Sequence, residues 1–508
     1  MTAMISPATP EWSSLRDRLV RRPVVALVAG LMALSLAACG DGDAASTVGT
    51  LDKIFGAGSS DGTPDGMASV SLGAGNDTTR GTAIQADGKI LVVGSSTSSG
   101  AGTTSSNIVV ERFKTDGTLD ASFGAGNGDG SPDGVVTLSL GSGSEEGRAI
   151  AVQADGKIIV AGTSTSPEVT GSGKNIVVAR LNSDGTPDAT FGADNNGDNT
   201  PDGFVAVSLG NGDDVADAIA IQADGKILVA GTAAGGADSN IAVVRLNANG
   251  SLDAAGFGVG QQDGSPDGVV TLSLGAGSDA AVGIAVQSDD RIVVVGNSTS
   301  VGGNGSSNIV VARLNPDGTL DGFFGKANDG TPDGVVNVSL GAGDDVASAV
   351  AIQANGKILV AGSTVSASGK NAAVARLNAD GSVDASFGAG SSDGTPDGSV
   401  ALSLGNGDDE LGAIAVDADG RIVVVGTTTS TGNSSNVFVA RLNADGKLDT
   451  SFGQGNDGTP DGVVNLSFGD GNDYGRTVAL QADGKIVVAG DRVNGGSSDI
   501  VLARLLVN

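Results

Sequence analysis

Short runs of apolar residues recur along the chain at a nearly constant interval. The stretch AVQADGKIIVAG, from Ala151 to Gly162, appears seven times in closely similar form. Successive copies lie 64 to 69 residues apart when they are aligned on one position, which is occupied by Gln85, Gln153, Gln222, Gln287, Gln353, Asp417 and Gln481. A fixed period of this length is typical of a solenoid or a β-propeller.

Each repeat unit predicts four strands. Runs such as AIAVQ and KIIVAG flank an Asp-Gly or Asn-Gly pair, which predicts a hairpin with a type I′ turn. A third run, NIVVARL, and a fourth, GVVTLSL, follow after loops. The runs are almost continuously apolar, so we expect both faces of each sheet to be buried. In the fourth unit Asp290 stands in place of the turn glycine, and we predict a strained but intact hairpin there.

The two ends of the chain distinguish the two architectures. The last unit finishes at IVLARLLVN without its fourth run, whereas an extra copy of that run, ASVSL, stands near the start of the repeat region. Pairing of Ala68–Leu72 with Ile500–Leu505 would close a ring, while a solenoid would need distinct capping units. We therefore predict an all-β fold over residues 51–508. It is a seven-bladed β-propeller of four-stranded antiparallel blades, in which the N-terminal strand joins the last blade.

The combination of motifs in each unit resembles a known repeat family. The segments VARLNPDGTLDGFFG, DGVVNVSLG and AIQANGKILVAG look like the delta-60 repeat of bacterial surface and secreted proteins. The resemblance covers residues 51–508 and implies a β-propeller. It implies no particular reaction and no set of catalytic residues.

The first 39 residues have the layout of an export signal. Four arginines between Arg16 and Arg22 precede the apolar run Val24–Cys39, which is short for a membrane span. The run ends in LAAC, which resembles the lipobox of bacterial lipoproteins. This resemblance implies lipidation of Cys39, a flexible tether over residues 40–50, and a location in the bacterial cell envelope on its periplasmic or outer-surface side. The alternative is an ordinary signal peptide with an incidental cysteine.

Composition narrows the chemistry of the exported chain. Removal of residues 1–38 leaves 24 basic and 56 acidic residues, a net charge of −32, no histidine, and no cysteine besides Cys39. Such acidity disfavours nucleic acid as a partner. Ser-His and Cys-His nucleophiles and imidazole metal sites cannot form.

Two functions remain open. The first is a non-catalytic, lipid-anchored module of the cell envelope that binds a protein or polymer or forms part of the surface. We expect it to be a monomer that contacts the membrane only through its lipid. The alternative is a calcium- or carboxylate-dependent hydrolase or lyase of an extracellular polymer, because paired carboxylates suffice for such chemistry.

Some polar residues recur in every unit. A catalytic residue would be needed at only one place in the ring, so this recurrence favours a structural role. The third strand repeats one arginine: Arg112, Arg180, Arg245, Arg313, Arg376, Arg441 and Arg504. A second basic position follows the hairpin: Lys89, Lys157, Lys226, Arg291, Lys357, Arg421 and Lys485.

The repeated arginine projects from an apolar strand and therefore needs an acceptor. The predicted partners are the aspartates of the LDxxFG element: Asp52, Asp120, Asp188, Asp253, Asp321, Asp384 and Asp449. The phenylalanine of the same element is predicted to be a core plug: Phe55, Phe123, Phe191, Phe257, Phe324, Phe387 and Phe452.

Every unit also has a D-x-[ST]-P-D motif in an acidic loop. Its aspartates are Asp61, Asp65, Asp129, Asp133, Asp198, Asp202, Asp263, Asp267, Asp329, Asp333, Asp393, Asp397, Asp457 and Asp461. In the third unit Asp194 and Asn196 extend the motif towards the oxygen-rich spacing of calcium loops, although the terminal glutamate is missing. Calcium is therefore the one cofactor that the sequence suggests, and ordinary turn chemistry is the alternative.

A weaker acidic pattern follows the fourth strand. It is seen in LGNGDD, with Asp213 and Asp214, and in LGAGDD, with Asp344 and Asp345. It faintly resembles the glycine-rich repeats of calcium-binding toxins but occurs at most once per unit.

An active site should break the repeat, because catalysis needs unlike residues. The departures in the sequence are Asp290, Glu410, Asp417 and Tyr474, each in a different place along the chain. The variable Ser/Gly/Thr loops after the second strand are the predicted recognition surface.

Overall fold

Seven four-stranded antiparallel sheets form a closed ring, as the sequence predicts. The computed structural model describes residues 48–56, 65–73, 75–97, 105–124, 133–166, 173–192, 201–210, 212–235, 238–258, 267–299, 306–325, 333–341, 343–366, 369–388, 397–404, 407–429, 434–453 and 461–507. Cys39 and residues 40–47 of the predicted tether lie outside them.

The strands follow one another in a regular order. They are β1 (Met67–Val70), β2 (Asp77–Ile84), β3 (Ile90–Thr97), β4 (Ser106–Phe113), β5 (Val135–Leu138), β6 (Glu145–Val152), β7 (Ile158–Ser164), β8 (Asn175–Leu181), β9 (Phe204–Val207), β10 (Asp214–Ile221), β11 (Ile227–Ala234), β12 (Ser239–Leu246), β13 (Val269–Leu272), β14 (Asp279–Val286), β15 (Ile292–Ser298), β16 (Asn308–Leu314), β17 (Val335–Val338), β18 (Asp345–Ile352), β19 (Ile358–Ser366), β20 (Gly369–Leu377), β21 (Ser399–Leu402), β22 (Asp409–Val416), β23 (Ile422–Thr429), β24 (Ser435–Leu442), β25 (Val463–Leu466), β26 (Asn472–Leu480), β27 (Ile486–Asn494) and β28 (Ser497–Leu505).

Blades 1 to 6 each take four consecutive strands, from β2–β5 to β22–β25, and blade 7 consists of β26, β27, β28 and β1. The first strand of every blade is innermost and contacts the first strands of both neighbouring blades. We call the end of the ring where these inner strands begin the entry face, and the end with the β-hairpins the hairpin face.

Apolar side chains fill the space between blades. Val93 and Ile108 of blade 1, for example, pack with Ile150 and Ile158 of blade 2, and all four are essentially inaccessible to solvent. Burial of each such side chain stabilises the fold by roughly 1.5–3 kcal/mol. The continuously apolar runs therefore serve two interfaces at once, one on each face of the sheet.

The ring is closed by the N-terminal strand, as predicted. β1 pairs antiparallel with β28, and the register runs from Met67 opposite Ala503 to Val70 opposite Ile500. The pairing stops before Leu72 because the backbone N–H of Leu72 donates to the Asp77 carboxylate at 2.6 Å, which turns the chain into the next strand.

The last residues of the predicted tether are also part of the ring. Gly49 donates to the carbonyl of Leu506 at 2.7 Å, and Gly453 of blade 6 donates to the carbonyl of Val48 at 3.1 Å. These residues replace the turn that follows the third strand in the other blades.

The hairpins differ from the predicted type I′ turn. Gly88 donates to the carbonyl of Gln85, and Gln85 donates to the carbonyl of Lys89, which leaves a three-residue loop. Gly88 has a φ of 82°, whereas Asp87 has no positive φ. The turn is therefore type I followed by a glycine bulge, an arrangement that needs one left-handed residue instead of two.

The hairpin of blade 4 is strained but intact, as predicted. Asp290 has a φ of 63° and is the one non-glycine residue with a positive φ in the described part of the chain. It still donates to the carbonyl of Gln287 at 3.0 Å.

A glutamate is buried between blades 7 and 1. Glu111 is inaccessible to solvent and lies on the face of β4 that packs against blade 7, where the equivalent residues of five other blades are alanine. Neither carboxyl oxygen has a hydrogen-bond partner among the described residues. Burial, and secondarily the charge of Asp77, raises the pKa of Glu111 well above its usual range.

Exchange of Asp and Gly at the turn position tests the strain at Asp290. We expect Asp290→Gly to increase the free energy of unfolding by about 1 kcal/mol, because a left-handed non-glycine residue costs about that much. Gly356 occupies the same position in blade 5 with a φ of 81°, and a Cβ added there would make only an ordinary contact, at 3.6 Å from the Cβ of Ala379. Gly356→Asp should therefore lower the free energy of unfolding by a similar amount. Guanidinium titration measures both, and shifts of the same sign would contradict this interpretation.

Glu111 should make stability depend on pH. Because the raised pKa means that the folded state holds the proton more tightly, its stabilising effect is complete below the unfolded pKa of about 4.3 and is lost as pH rises through the folded value. We expect the stability advantage of Glu111→Ala over the wild type to grow between pH 4 and pH 8 in urea titrations. An advantage that does not change with pH would contradict this.

Candidate functional site

The repeated arginine is the centre of a buried cluster in every blade. Its Nε donates to the aspartate of the LDxxFG element at 2.6 to 2.9 Å in all seven predicted pairs, including Arg504 with Asp52 across the ring closure. The seven aspartates and seven arginines are nearly inaccessible to solvent. The pairing inferred from the sequence is therefore present throughout the ring.

Two further contacts of the arginine were not foreseen. The guanidinium lies 4.3 to 4.6 Å from the ring centre of the buried phenylalanine of the same element. In six blades it also donates to a backbone carbonyl of the next blade, for example from Arg112 to Ser183 and from Arg504 to Thr115. Each of these six arginines thus links its own blade to the following one.

The second basic position adds to the same cluster in six blades. Lys157, for example, donates to Asp188 at 2.6 Å. Desolvation acts to raise the pKa of Asp188, but hydrogen bonds from Lys157 and Thr190 and the charge of Arg180 outweigh it and lower the pKa to about 2. Blade 6 differs, because Asp417 replaces the usual glutamine and pairs with Arg421 at 2.7 Å.

The acidic loops are described only in part. Asp61, Asp129, Asp194, Asn196, Asp198, Asp263, Asp329, Asp393 and Asp457 lie outside the described residues. The second aspartate of the motif is described in all seven units and in six of them accepts the backbone N–H two residues later at 2.9 to 3.0 Å, for example Asp65 from Met67. Asp202 is buried.

This hydrogen bond is ordinary turn chemistry at the start of the fourth strand. Over the ranges that the structure describes, no three Asp, Glu, Cys or His side chains are grouped as a metal site would require. Calcium at these loops stays a prediction.

The second acidic pattern also has a structural use. The last acid of the loop is inaccessible to solvent in every blade, and in six blades it accepts a backbone N–H of the same loop at 2.6 to 2.9 Å, as Asp214 does from Leu209. Burial raises the pKa of Asp214 to about 6, against the lowering effect of hydrogen bonds from Leu209 and Ala234. In blade 3 the residue before the buried acid, Asp213, accepts the backbone N–H of Lys174 in blade 2 at 3.0 Å. This hydrogen bond joins the two blades.

A β-bulge interrupts every inner strand three residues after this buried acid. The bulged residue is left out of the pairing register, which is a common way to re-aim a side chain near a site. The bulged residues of blades 1 to 7 are Arg80, Arg148, Asp217, Val282, Ser348, Gly412 and Arg476. Three arginines therefore stand on three consecutive blades, 7, 1 and 2.

The residue immediately after the buried acid is equally variable. In blades 1 to 7 it is Thr78, Glu146, Val215, Ala280, Val346, Glu410 and Tyr474. The charged and aromatic members belong to blades 6, 7 and 2, whereas blades 3 to 5 carry small apolar residues. These two columns of the inner strand break the sevenfold repeat.

Five members of these two columns, Thr78, Arg80, Glu410, Tyr474 and Arg476, converge on one cavity at the entry face. A cavity of about 560 Å³ opens where blades 6, 7 and 1 meet. Its wall includes Asn76, Thr78, Arg80, Asp408, Glu410, Thr427, Thr429, Ser435, Tyr474, Arg476, Asp491 and Ser498. Its volume lies within the range of about 300–1,000 Å³ that is usual for small-ligand sites.

Asp491 holds the wall of this cavity together. One carboxyl oxygen accepts the backbone N–H of Thr79 in blade 1 at 2.5 Å, and the other accepts from Arg476 of its own blade at 2.8 Å. The guanidinium of Arg476 lies 4.7 Å from the ring centre of Tyr474. Both charged groups and the aromatic ring are thus fixed relative to one another.

The structure brings together two of the four departures seen in the sequence. Glu410 and Tyr474 line the same cavity, although 64 residues separate them in the chain. Asp290 and Asp417 lie in hairpins at the opposite face. Arg80 and Arg476 were missed because they are the bulged residues of their strands. Alignment of the seven inner strands column by column would have revealed them.

Comparison with known proteins agrees with this architecture. A family model described as a domain of unknown function (DUF5122) beta-propeller matches residues 85–123, 153–191, 222–255, 287–323, 353–387, 418–452 and 481–508, one segment in each blade. The chain carries seven DUF5122 β-propeller repeats. The predicted β-propeller repeat family is therefore confirmed. The comparison with curated proteins gave no match.

Solved structures similar to this DUF5122 propeller have diverse functions. A virginiamycin B lyase from Staphylococcus aureus is 10% identical, with a TM-score of 0.43 and coverage of 86% of this chain and 98% of that chain. The polysaccharide lyase Uly1 is 10% identical, with a TM-score of 0.44 and coverage of 84% and 90%. Drosophila plexin A in complex with semaphorin 1b is 12% identical, with a TM-score of 0.42 and coverage of 90% and 88%.

The predicted anchor at Cys39 lies outside the described residues. Where the structure describes the chain, it contains no helix that is long and apolar enough to cross a membrane.

Replacement of Asp188 should lower the free energy of unfolding much more than replacement of Lys157 in the same cluster. We expect Asp188→Ala to lower the free energy of unfolding by about 3–5 kcal/mol, because it leaves Arg180 buried without its carboxylate. Lys157→Met removes a partly exposed ion and should cost less than about 1 kcal/mol.

The effect of Asp188 should also fade in acid. Its lowered pKa means that its contribution is complete above the unfolded pKa of about 3.9 and is lost as pH falls towards about 2. Urea titrations at pH 7 and pH 3 measure both effects. Equal costs for the two variants at pH 7 would contradict the central role of the arginine–aspartate pair.

Proposed function

We propose that this protein is a non-catalytic binding module of the bacterial cell envelope, anchored by lipid on Cys39, which takes its ligand into the cavity between blades 6, 7 and 1. One observation carries the proposal: four side chains that depart from the repeat, those of Arg80, Glu410, Tyr474 and Arg476, meet at this cavity. A ring that served only as a spacer would have no reason to gather these four unlike side chains around one cavity.

The position of the cavity supports the same function. Val48, the first described residue, contacts Gly453 at the hairpin face, whereas Thr78 and Glu410 lie at the entry face. A tether from Cys39 would therefore join the ring on the side away from the cavity. The cavity would then open away from the bilayer, where an extracellular protein or polymer can reach it.

A cavity-filling substitution tests this function. Thr78→Trp places a large ring in the wall of the cavity, while Val215→Trp makes the same change at the equivalent position of blade 3, outside the cavity wall. Fractionated cell-wall digest and growth medium can be screened for components that bind each full-length variant, by saturation-transfer NMR. We expect components that bind the wild type and Val215→Trp but not Thr78→Trp.

The same spectra distinguish the alternative function. Equal binding by both tryptophan variants would contradict the cavity as the ligand site. New product signals that appear with time, and disappear with Thr78→Trp, would replace the binding function with that of a carboxylate-dependent hydrolase or lyase.

A further inference from the structure

We infer that the ligand of the cavity is an uncharged saccharide, bound through the hydroxyl groups of one or more sugar rings. This inference rests on the proposed function and names the chemical class of its ligand. Three features of the cavity carry it: the charges in its wall already have partners, the groups that remain are hydroxyls and an amide, and the wall holds an aromatic ring.

Four charged groups of the wall have identified partners in the protein. Arg476 is held by Asp491 at 2.8 Å, and Glu410 pairs with Lys370. Asp408 accepts the backbone N–H of Lys370 at 2.9 Å. A strongly anionic ligand would meet three carboxylates, and a strongly cationic one would meet the guanidinium groups of Arg80 and Arg476. Either would therefore lie beside charges of its own sign.

Most of the remaining polar groups of the wall are hydroxyls, of which that of Ser498 already donates to the carbonyl of Asp77 at 2.8 Å. Thr78, Thr427, Thr429, Ser435 and Ser498 contribute hydroxyls to the wall. The hydroxyl of Thr78 is buried and has no hydrogen-bond partner among the described residues. Thr427 accepts from Gly475 at 3.1 Å, so its own proton can be donated. A sugar hydroxyl likewise donates once and accepts twice, and it therefore matches such a wall better than an ion does.

The wall also contains a tyrosine ring. Tyr474 is the one tyrosine among 508 residues, and Arg476 covers one of its faces at 4.7 Å. Tyrosine combines an apolar body with a polar tip, which suits a ligand whose rings have C–H faces and hydroxyl edges. A single tyrosine at the site also makes it a natural reporter.

Fluorine NMR of the full chain tests the inference. Protein produced with 3-fluorotyrosine has one tyrosine signal, from Tyr474. We expect cellotriose or chitotriose to shift this signal saturably, and citrate and putrescine to leave it unchanged.

Matched variants locate the binding. Glu410→Gln should weaken saccharide binding by about tenfold or more, because a charged acceptor in the wall is lost. Glu146→Gln alters the equivalent residue of blade 2, also ion-paired but outside the cavity, and should change the affinity by less than about twofold.

The outcomes separate this inference from the proposed function. A saturable shift with citrate or putrescine, without one from either saccharide, would overturn the saccharide and leave the cavity as the ligand site. A saccharide shift that Glu410→Gln and Glu146→Gln reduce equally would overturn the inference. If none of the four probes moves the signal, the saccharide is also overturned, and the Thr78→Trp experiment decides independently whether the cavity binds a ligand.

Discussion

Each blade buries one guanidinium group between a carboxylate, an aromatic ring and, in six blades, a carbonyl of the next blade. A buried arginine is costly unless its charge and its N–H groups have partners. Here the aspartate neutralises the charge, the phenylalanine covers one face, and the carbonyl of the following blade completes the hydrogen bonding. Because the last of these partners belongs to another blade, correct folding of one unit depends on the presence of the next.

This dependence explains how the ring closes. The arginine of blade 7 finds its aspartate at the N-terminal end of the ring, as Arg504 with Asp52, and its carbonyl in blade 1, at Thr115. The arginine of blade 6 has no such carbonyl partner among the described residues, because the turn that would supply it is replaced by the two chain ends. The closure therefore keeps the ion pair and gives up one interblade hydrogen bond.

The repetitive part of the structure could be predicted from the sequence, and the site could not. The buried cluster could be identified because its arginine, aspartate and phenylalanine recur in all seven units. The ring closure could be identified because the extra strand at Ala68 matches the strand that the last unit lacks. The cavity depends on residues that occur once. Tyr474 and Glu410 are visible as departures, but their proximity follows from the curvature of the ring. Arg80 and Arg476 occupy β-bulges, which have no signature in the apolar pattern. The glycine-bulge form of the hairpin was hidden for the same reason.

The central claim is a division of labour: the repeated polar groups hold the ring, and the unlike residues of blades 6, 7 and 1 form the proposed ligand site. Hydrogen–deuterium exchange of the full chain, with and without a component that it retains from the cell-wall digest, tests this claim most directly. Protection confined to the starts of the inner strands of blades 6, 7 and 1, around Thr78, Glu410 and Tyr474, is the predicted result. Protection centred on the variable loops or on the acidic loops of the hairpin face would contradict it.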